Sequence, residues 1–214
     1  MTPTAENLQS IAKYRAVARR YDASTGPTWA IRMRCVELLQ LREGETVLDV
    51  GCGTGLSFEP LLQRVGRSGR LIAFEQSPEM YLQASARADA LRVLGFQIHL
   101  VHASAETVTL PAAPDAALFH YVHDISRTPE ALDNLFGQLA PATRIAIAGM
   151  KFFPWPLAPL NVLAWMKNRP YNVRAHELHK PWSLMAARLN GFEWHATQWG
   201  MGYIGTGRVK EISR

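Results

Sequence analysis

The sequence predicts an α/β fold: a doubly wound, mostly parallel sheet of seven strands with a C-terminal antiparallel hairpin and helices on both faces. Three observations carry this. Short apolar runs alternate with helical stretches between Thr46 and Ala148, and such alternation feeds crossover connections, hence parallel pairing. The first run, Val47-Leu48-Asp49-Val50, breaks into Gly51-Cys52-Gly53-Thr54-Gly55 ahead of a helix. The last segment, Phe192 to Gln198 and Met201 to Gly205, reads as two strands around a turn.

Ala5 to Arg20 carries Leu8, Ile11, Ala12, Ala16 and Val17 close to a helical period. Tyr21-Asp22 breaks it, and Gly26-Pro27 opens a second helix through Met33, Val36, Leu38 and Leu39. Thr46 to Val50 is the first strand, Leu56 to Val65 the helix after it, and Arg70 to Phe74 the second strand. Ser77-Pro78 starts a long helix to Leu94: a cap, then a proline whose missing N–H has no partner to lose at that position. Gly95 ends it. Phe96 to Val101 is the third strand, and Asp115 to His120 a short buried fourth one behind the turn prolines Pro111 and Pro114. Thr128-Pro129 starts a helix to Leu139, and Thr143 to Ala148 is the fifth strand.

At 214 residues the chain suits a single domain with its own core, and 48% hydrophobic against 19% charged residues fits a globular protein. No charged head with an apolar core opens the chain, and no apolar run reaches the ~20 residues of a membrane span. Cys35 falls on a helix and Cys52 in the glycine turn, which argues against a disulfide and fits a reducing cytoplasm. The formal charge of +5 invites a nucleic-acid partner, yet the arginines are scattered and no basic stripe is interleaved with aromatics. A mildly basic solvated surface is the simpler expectation.

A glycine turn after a strand lets backbone approach a ligand closely, and the following helix points free N–H groups at it. Dinucleotides and S-adenosylmethionine both use this device. The dinucleotide fingerprint needs a third glycine where this chain has Leu56. Asp49 separates them further: a carboxylate there repels a pyrophosphate and attracts an ammonium or sulfonium. Glu75 closes the second strand where a carboxylate meets ribose hydroxyls, which fits either cofactor.

The Asp49–Gly55 segment resembles motif I of the Rossmann-like (class I) S-adenosylmethionine-dependent methyltransferases, and Phe74 to Met80 (FEQSPEM) resembles the motif that follows. The likeness spans roughly Tyr14 to Met150. It implies that Asp49, Gly51, Cys52, Gly53 and Gly55 hold the methionine end, that Glu75 takes the ribose, and that Gln76 and Met80 flank the adenine. Met80 as plain helix core is the alternative. Ser104, with Ala105, stands where the family often has an acid beside the adenine amino group. His120 is expected to line the cofactor pocket.

The fourth strand delivers the acceptor side at His120-Tyr121-Val122-His123-Asp124. His123 is the candidate for a general base or for orienting the acceptor, with Asp124 or another carboxylate to orient it; a helix-start histidine bonded to backbone is the competing reading. The Asn/Asp-Pro-Pro-Tyr pattern of base-modifying amino methyltransferases is absent, which weakens nucleic-acid methylation. Tyr14 and Tyr21 resemble the N-terminal tyrosines of ubiquinone/menaquinone-type enzymes, so residues 1–40 are expected to cover the site.

Residues 151–181 follow no pattern of this fold. Phe152 to Pro159 is aromatic and broken by three prolines, a stiff loop that reads as a lid over an apolar acceptor, a membrane-surface contact or an ordinary insertion. Gly200 to Gly205 matches G-x-G-x-x-G without a following helix, and His176-Glu177-Leu178-His179 is too closely spaced for a zinc-protease motif, so no metal is expected. The expected activity is methyl transfer to O, N or C of a small apolar or aromatic acceptor. The alternatives are a phospholipid headgroup N-methyltransferase at the membrane surface and a non-catalytic S-adenosylmethionine-binding module.

Overall fold

A central parallel block is built from Thr46–Val50 (β1), Arg70–Glu75 (β2), Gln97–His102 (β3), Ala116–His120 (β4) and Arg144–Met150 (β5). Leu189–Thr197 (β6) and Gly202–Val209 (β7) close the sheet, whose order is β3-β2-β1-β4-β5-β7-β6. β7 runs antiparallel to β5 from Arg144↔Arg208 to Met150↔Gly202, and among the described residues β6 pairs only with β7. The computed structural model describes residues 26–153 and 178–211 together with Leu8, Gln9, Ile11, Ala12, Asp22, Asn161 and Val162. The helix expected over Ala5–Arg20 and most of residues 151–181 lie outside the described residues, as does Tyr21.

Strand alternation splits the core into two layers. Leu48, Val50, Ile72, Phe74, Ala117, Phe119, Ile145 and Ile147 form one, packed against Pro129–Phe136 (α5) and Ser183–Ala187 (α6). Val47, Leu71, Ala73, Ala116, Leu118 and Ala146 form the other. It is covered by Trp29–Leu38 (α1), Phe58–Val65 (α2) and Pro78–Val93 (α3). Each fully buried Leu or Phe in these layers contributes about 1.5–3 kcal/mol relative to exposure. The second layer positions the site: Asp49, Glu75 and His120 each continue its parity at the carboxyl ends of β1, β2 and β4.

The elements follow the sequence with local differences. α2 begins at Phe58 rather than Leu56 because Cys52 to Ser57 are used up in turns. Ser77 and Thr128 have extended cap backbones, but neither side chain caps its helix. The Ser77 N–H donates to Glu75 Oε1, and Thr128 Oγ1 donates to the Asp124 carbonyl. A four-residue helix, His123–Ser126 (α4), follows β4, and neither it nor α6 is announced by a periodic pattern. Gly202 to Gly205 lies inside β7, paired to Met150 through Ile147, so the second glycine-rich motif is sheet and not a phosphate loop.

Candidate functional site

The carboxyl ends of β1, β2 and β4 open into a cavity with about 730 Å³ of empty space, part of it open to solvent. Parallel register fixes its shape. Asp49 pairs with Ala73 on one side and Leu118 on the other. Glu75 and His120 therefore each stand two residues higher than Asp49 on the same face. Asp49 is the floor, and Glu75 and His120 are the flanking walls.

The turn after β1 holds three glycines with positive φ: Gly51 at 56°, Gly53 at 59° and Gly55 at 81°. Each is needed for a different reason. A Cβ on Gly51 would meet Ile125 Cδ1 at 2.9 Å and Val122 Cγ1 at 3.0 Å, and one on Gly55 would meet the Phe58 ring at 2.7 Å. At Gly53 a Cβ would meet nothing within 4 Å, because that position borders the cavity.

The two acids differ. Glu75 is buried but satisfied: Oε2 accepts the Gly53 N–H at 2.9 Å and Oε1 the Ser77 N–H at 2.7 Å. Burial raises its pKa, and these backbone donors pull it back down. The carboxylate thus pins the glycine turn to the start of α3 while still bordering the cavity. Asp49 is 2% exposed, and its Oδ2 is buried with no hydrogen-bond partner among the described residues. Burial lifts its pKa from 3.8 to about 7, against the pull of Arg32 and with a push from Glu75.

Arg32 is the residue that sequence reasoning missed. It lines the same cavity from α1 at 5% exposure, donates Nη1–H to Ser57 Oγ, and keeps a buried Nε without a partner among the described residues. The signal was available. Arg32, Cys35, Val36 and Leu39 recur at helical spacing, so a charge sits on the buried stripe of α1.

Among the other expected cofactor residues, Cys52, Gln76, Met80, Ala105 and His120 line the cavity. Met80 is also 1% exposed, buried as a core residue would be. The Cys52 thiol is pushed well above its usual pKa by burial and by Asp49 and Glu75, which keeps it protonated. Gly55 and Ser104 are not among the cavity-lining residues. Gly55 turns over the Phe58 ring, and Ser104 Oγ lies 3.1 Å from Thr107 Oγ1.

On the acceptor side the chain leaves β4 through Tyr121 at φ 58°, a strained conformation for a non-glycine residue, and both His123 and Asp124 line the cavity. His120 and His123 are both buried, yet they are finished differently. Both ring nitrogens of His120 are without a hydrogen-bond partner among the described residues. Burial, then Arg32 and His123, lower its pKa well below 6.5, so the ring is neutral. His123 Nε2 instead accepts the Met150 N–H at 3.1 Å. Burial and Arg127 lower the His123 pKa to about 3. His123 thus has the backbone-bonded, helix-start geometry, with its Nε2 lone pair engaged by the Met150 N–H. No cluster of three or more metal-ligand side chains occurs among the described residues.

This arrangement can be tested against the expected cofactor. A buried cation and a buried anion, Arg32 and Asp49, line one cavity beside a bare turn, and each keeps one unpartnered atom. An α-amino-acid group carries the complementary carboxylate and ammonium, whereas a pyrophosphate would have to sit beside Asp49. The residues fit S-adenosylmethionine.

Residues 47–142 match the family model described as a methyltransferase domain. The "2-phytyl-1,4-naphtoquinone methyltransferase" of Thermosynechococcus vestitus is 29% identical over 150 residues, covering 66% of this chain and 63% of that protein. The N-methyltransferase NodS of Bradyrhizobium japonicum, solved with S-adenosyl-L-homocysteine, superposes with a TM-score of 0.64. It is 14% identical, over 93% of this chain and 99% of that one. The chain is thus similar to a methyltransferase domain over residues 47–142 and shares the fold of S-adenosylmethionine-dependent methyltransferases. "Protein-L-isoaspartate O-methyltransferase 2" of Archaeoglobus fulgidus is a further relative, 31% identical over 52% of this chain and 48% of its own. The match spans less than two thirds of either curated relative's length. Among the described residues no helix is long and apolar enough to cross a membrane.

Proposed function

We propose that this chain is a methyltransferase that moves the methyl group of S-adenosylmethionine to a small apolar or aromatic acceptor seated at the tip of β4. The observation that carries the reading is the buried Asp49–Arg32 pair with its two unpartnered atoms. S-adenosylmethionine supplies a methyl group on a positively charged sulfur, already activated for transfer. The residues of the chain then bind, orient and exclude water.

In this reading Asp49 receives the ammonium and Arg32 the carboxylate of the methionine end. Glu75, held by the Gly53 and Ser77 N–H groups, offers its remaining lone pairs to the ribose hydroxyls. Gln76, Met80 and Ala105 border the adenine. A ligand laid from Glu75 across Asp49 brings its reacting end to His120, Tyr121 and Val122, because β4 is the strand next to β1 on that side. Val122 and Ile125 give that end an apolar wall. The name of the Thermosynechococcus relative supports an aromatic, lipid-like acceptor. His120 contributes a neutral ring able to donate or accept one hydrogen bond to the acceptor.

Calorimetry with S-adenosylmethionine and S-adenosylhomocysteine tests the cofactor half: both should bind wild type, and Asp49→Ala should weaken both. Transfer of a labelled methyl group to a panel of phenols, quinols, amines and RNA tests the acceptor half. Label appearing only in RNA would overturn the small-molecule assignment. Tight cofactor binding with no transfer to any acceptor would favour a binding module.

A further inference from the structure

The glycine turn is gripped from outside by the N-terminal region at two points. Thr54 and Ser57 flank Gly55, and both are buried at 1% and 0% exposure. Thr54 Oγ1 donates to Asp22 Oδ1 at 2.6 Å, and Arg87 of α3 donates to Asp22 Oδ2 at 2.8 Å. Arg32 donates to Ser57 Oγ. Thr54 lines the cavity, whereas Asp22 is not among its lining residues.

We infer that Asp22 and Arg32 form a two-point clamp on the cofactor turn, through which cofactor binding and seating of the N-terminal region are coupled. The inference rests on the reading that the cavity takes S-adenosylmethionine. Three glycines in the left-handed region give the turn little conformational preference of its own, so its ligand-competent shape depends on what holds it. A bond that raises the population of that shape raises apparent affinity by the same factor. Linkage makes the effect reciprocal: bound ligand must also stabilise the Asp22–Thr54 contact. Asp22 is a positioning residue, acting through Thr54 without touching the ligand.

The discriminating measurement is S-adenosylhomocysteine binding by calorimetry, with folding of each variant checked by circular dichroism melts. Asp22→Ala and Thr54→Val should each raise the Kd roughly 5- to 30-fold, part of the about 10- to 100-fold that one charge-assisted hydrogen bond is worth, because the effect reaches the ligand through the turn. The double variant should be no worse than Asp22→Ala alone, since Thr54→Val removes a bond that Asp22→Ala has already removed. Asp22→Asn, which keeps an acceptor for Thr54, should show a smaller loss and covers the case in which Asp22→Ala does not fold. A second readout is trypsin cleavage after Arg19 and Arg20. Saturating S-adenosylhomocysteine should slow it in wild type and not in Asp22→Ala. Wild-type affinity retained in Asp22→Ala, or additive losses in the double variant, overturns the clamp alone. A wild type that binds no S-adenosylhomocysteine overturns the cofactor reading and the clamp with it.

Discussion

The tips of β1 and β4 border one cavity and are finished in opposite ways. At β1, Asp49 ends with a bare buried oxygen beside Arg32, and the chain continues through a glycine turn with open space at Gly53. Just past β4, at the start of α4, His123 is knitted into the scaffold. Its Nε2 accepts the Met150 N–H, and its carbonyl accepts from Ser126 Oγ at 3.2 Å and Arg127 Nε at 3.3 Å. A buried polar group left unmatched costs about 1–3 kcal/mol unless a ligand supplies the partner. The first tip is therefore built around something that arrives, and the second is built to stay in place. His120, the last residue of β4 itself, resembles the first type: buried, neutral and unpartnered among the described residues.

The largest expected effect of this contrast is at Asp49. Asp49→Ala should weaken S-adenosylmethionine binding about 10- to 100-fold, the equivalent of ~1.5–3 kcal/mol for a charged hydrogen bond. Calorimetry at pH 8 measures it. The fold should survive, because the removed carboxylate has an unmatched oxygen in the ligand-free chain. A variant that unfolds and yet binds normally when rescued by low temperature would reverse the assignment.

Gly51 sits where the two regions touch, so substitution there should be felt by both. In Gly51→Ala the new Cβ meets Ile125 and Val122 at about 3 Å from a left-handed backbone. Strain of ~1–2 kcal/mol and overpacking of ~1–3 kcal/mol add. Gly53→Ala carries the strain without the clash, so it should lose about half as much stability while intruding on the cavity. Urea melts of the two variants compare them; equal losses would mean that α4 does not press on the turn.

His123 should behave as scaffold. His123→Phe fills similar volume but leaves the Met150 N–H unmatched, for a loss of about 1–3 kcal/mol in urea melts. Once a methyl acceptor is in hand, the pH profile of kcat/KM for the surviving activity should keep its wild-type shape. Loss of a limb of that profile with unchanged stability would restore His123 as a base.

How much of this was readable beforehand follows the range of the interactions. β1 was legible to the residue, since Thr46–Val50 is apolar, β-branched and ended by glycine. Asp49 and Glu75 were legible because each is an acid closing an apolar run. The partners of Glu75 were less so: its bonds to Gly53 and Ser77 belong to a folded turn, not to a pattern. The tie of His123 to Met150 spans 27 positions, and that of Asp22 to Thr54 spans 32. No local periodicity reports contacts at that separation. The surroundings of Ser104 were not legible either: its hydroxyl lies beside that of Thr107, and it is not among the residues lining the cavity.

The pH dependence of the ligand-free chain sets the two regions against each other. The folded pKa of Asp49 is raised from 3.8 to about 7, so between those values the folded state holds more protons than the unfolded one. Its contribution to stability therefore falls as pH rises from about 4 to 7, while affinity for a cationic ligand, which needs the ionised form, rises over the same window. His123 tilts the other way. Its folded pKa is lowered from 6.5 to about 3, so the unfolded chain takes up the extra proton and stability is lost as pH falls through that range. Each slope is bounded by about 1.4 kcal/mol per pH unit. Urea melts from pH 4 to 8 should show Asp49→Asn gaining on wild type as pH rises, and the deficit of His123→Phe shrinking as pH falls. A pH-independent offset for Asp49→Asn would mean that its carboxyl is already ionised throughout. The cavity floor would then be better solvated than its burial implies.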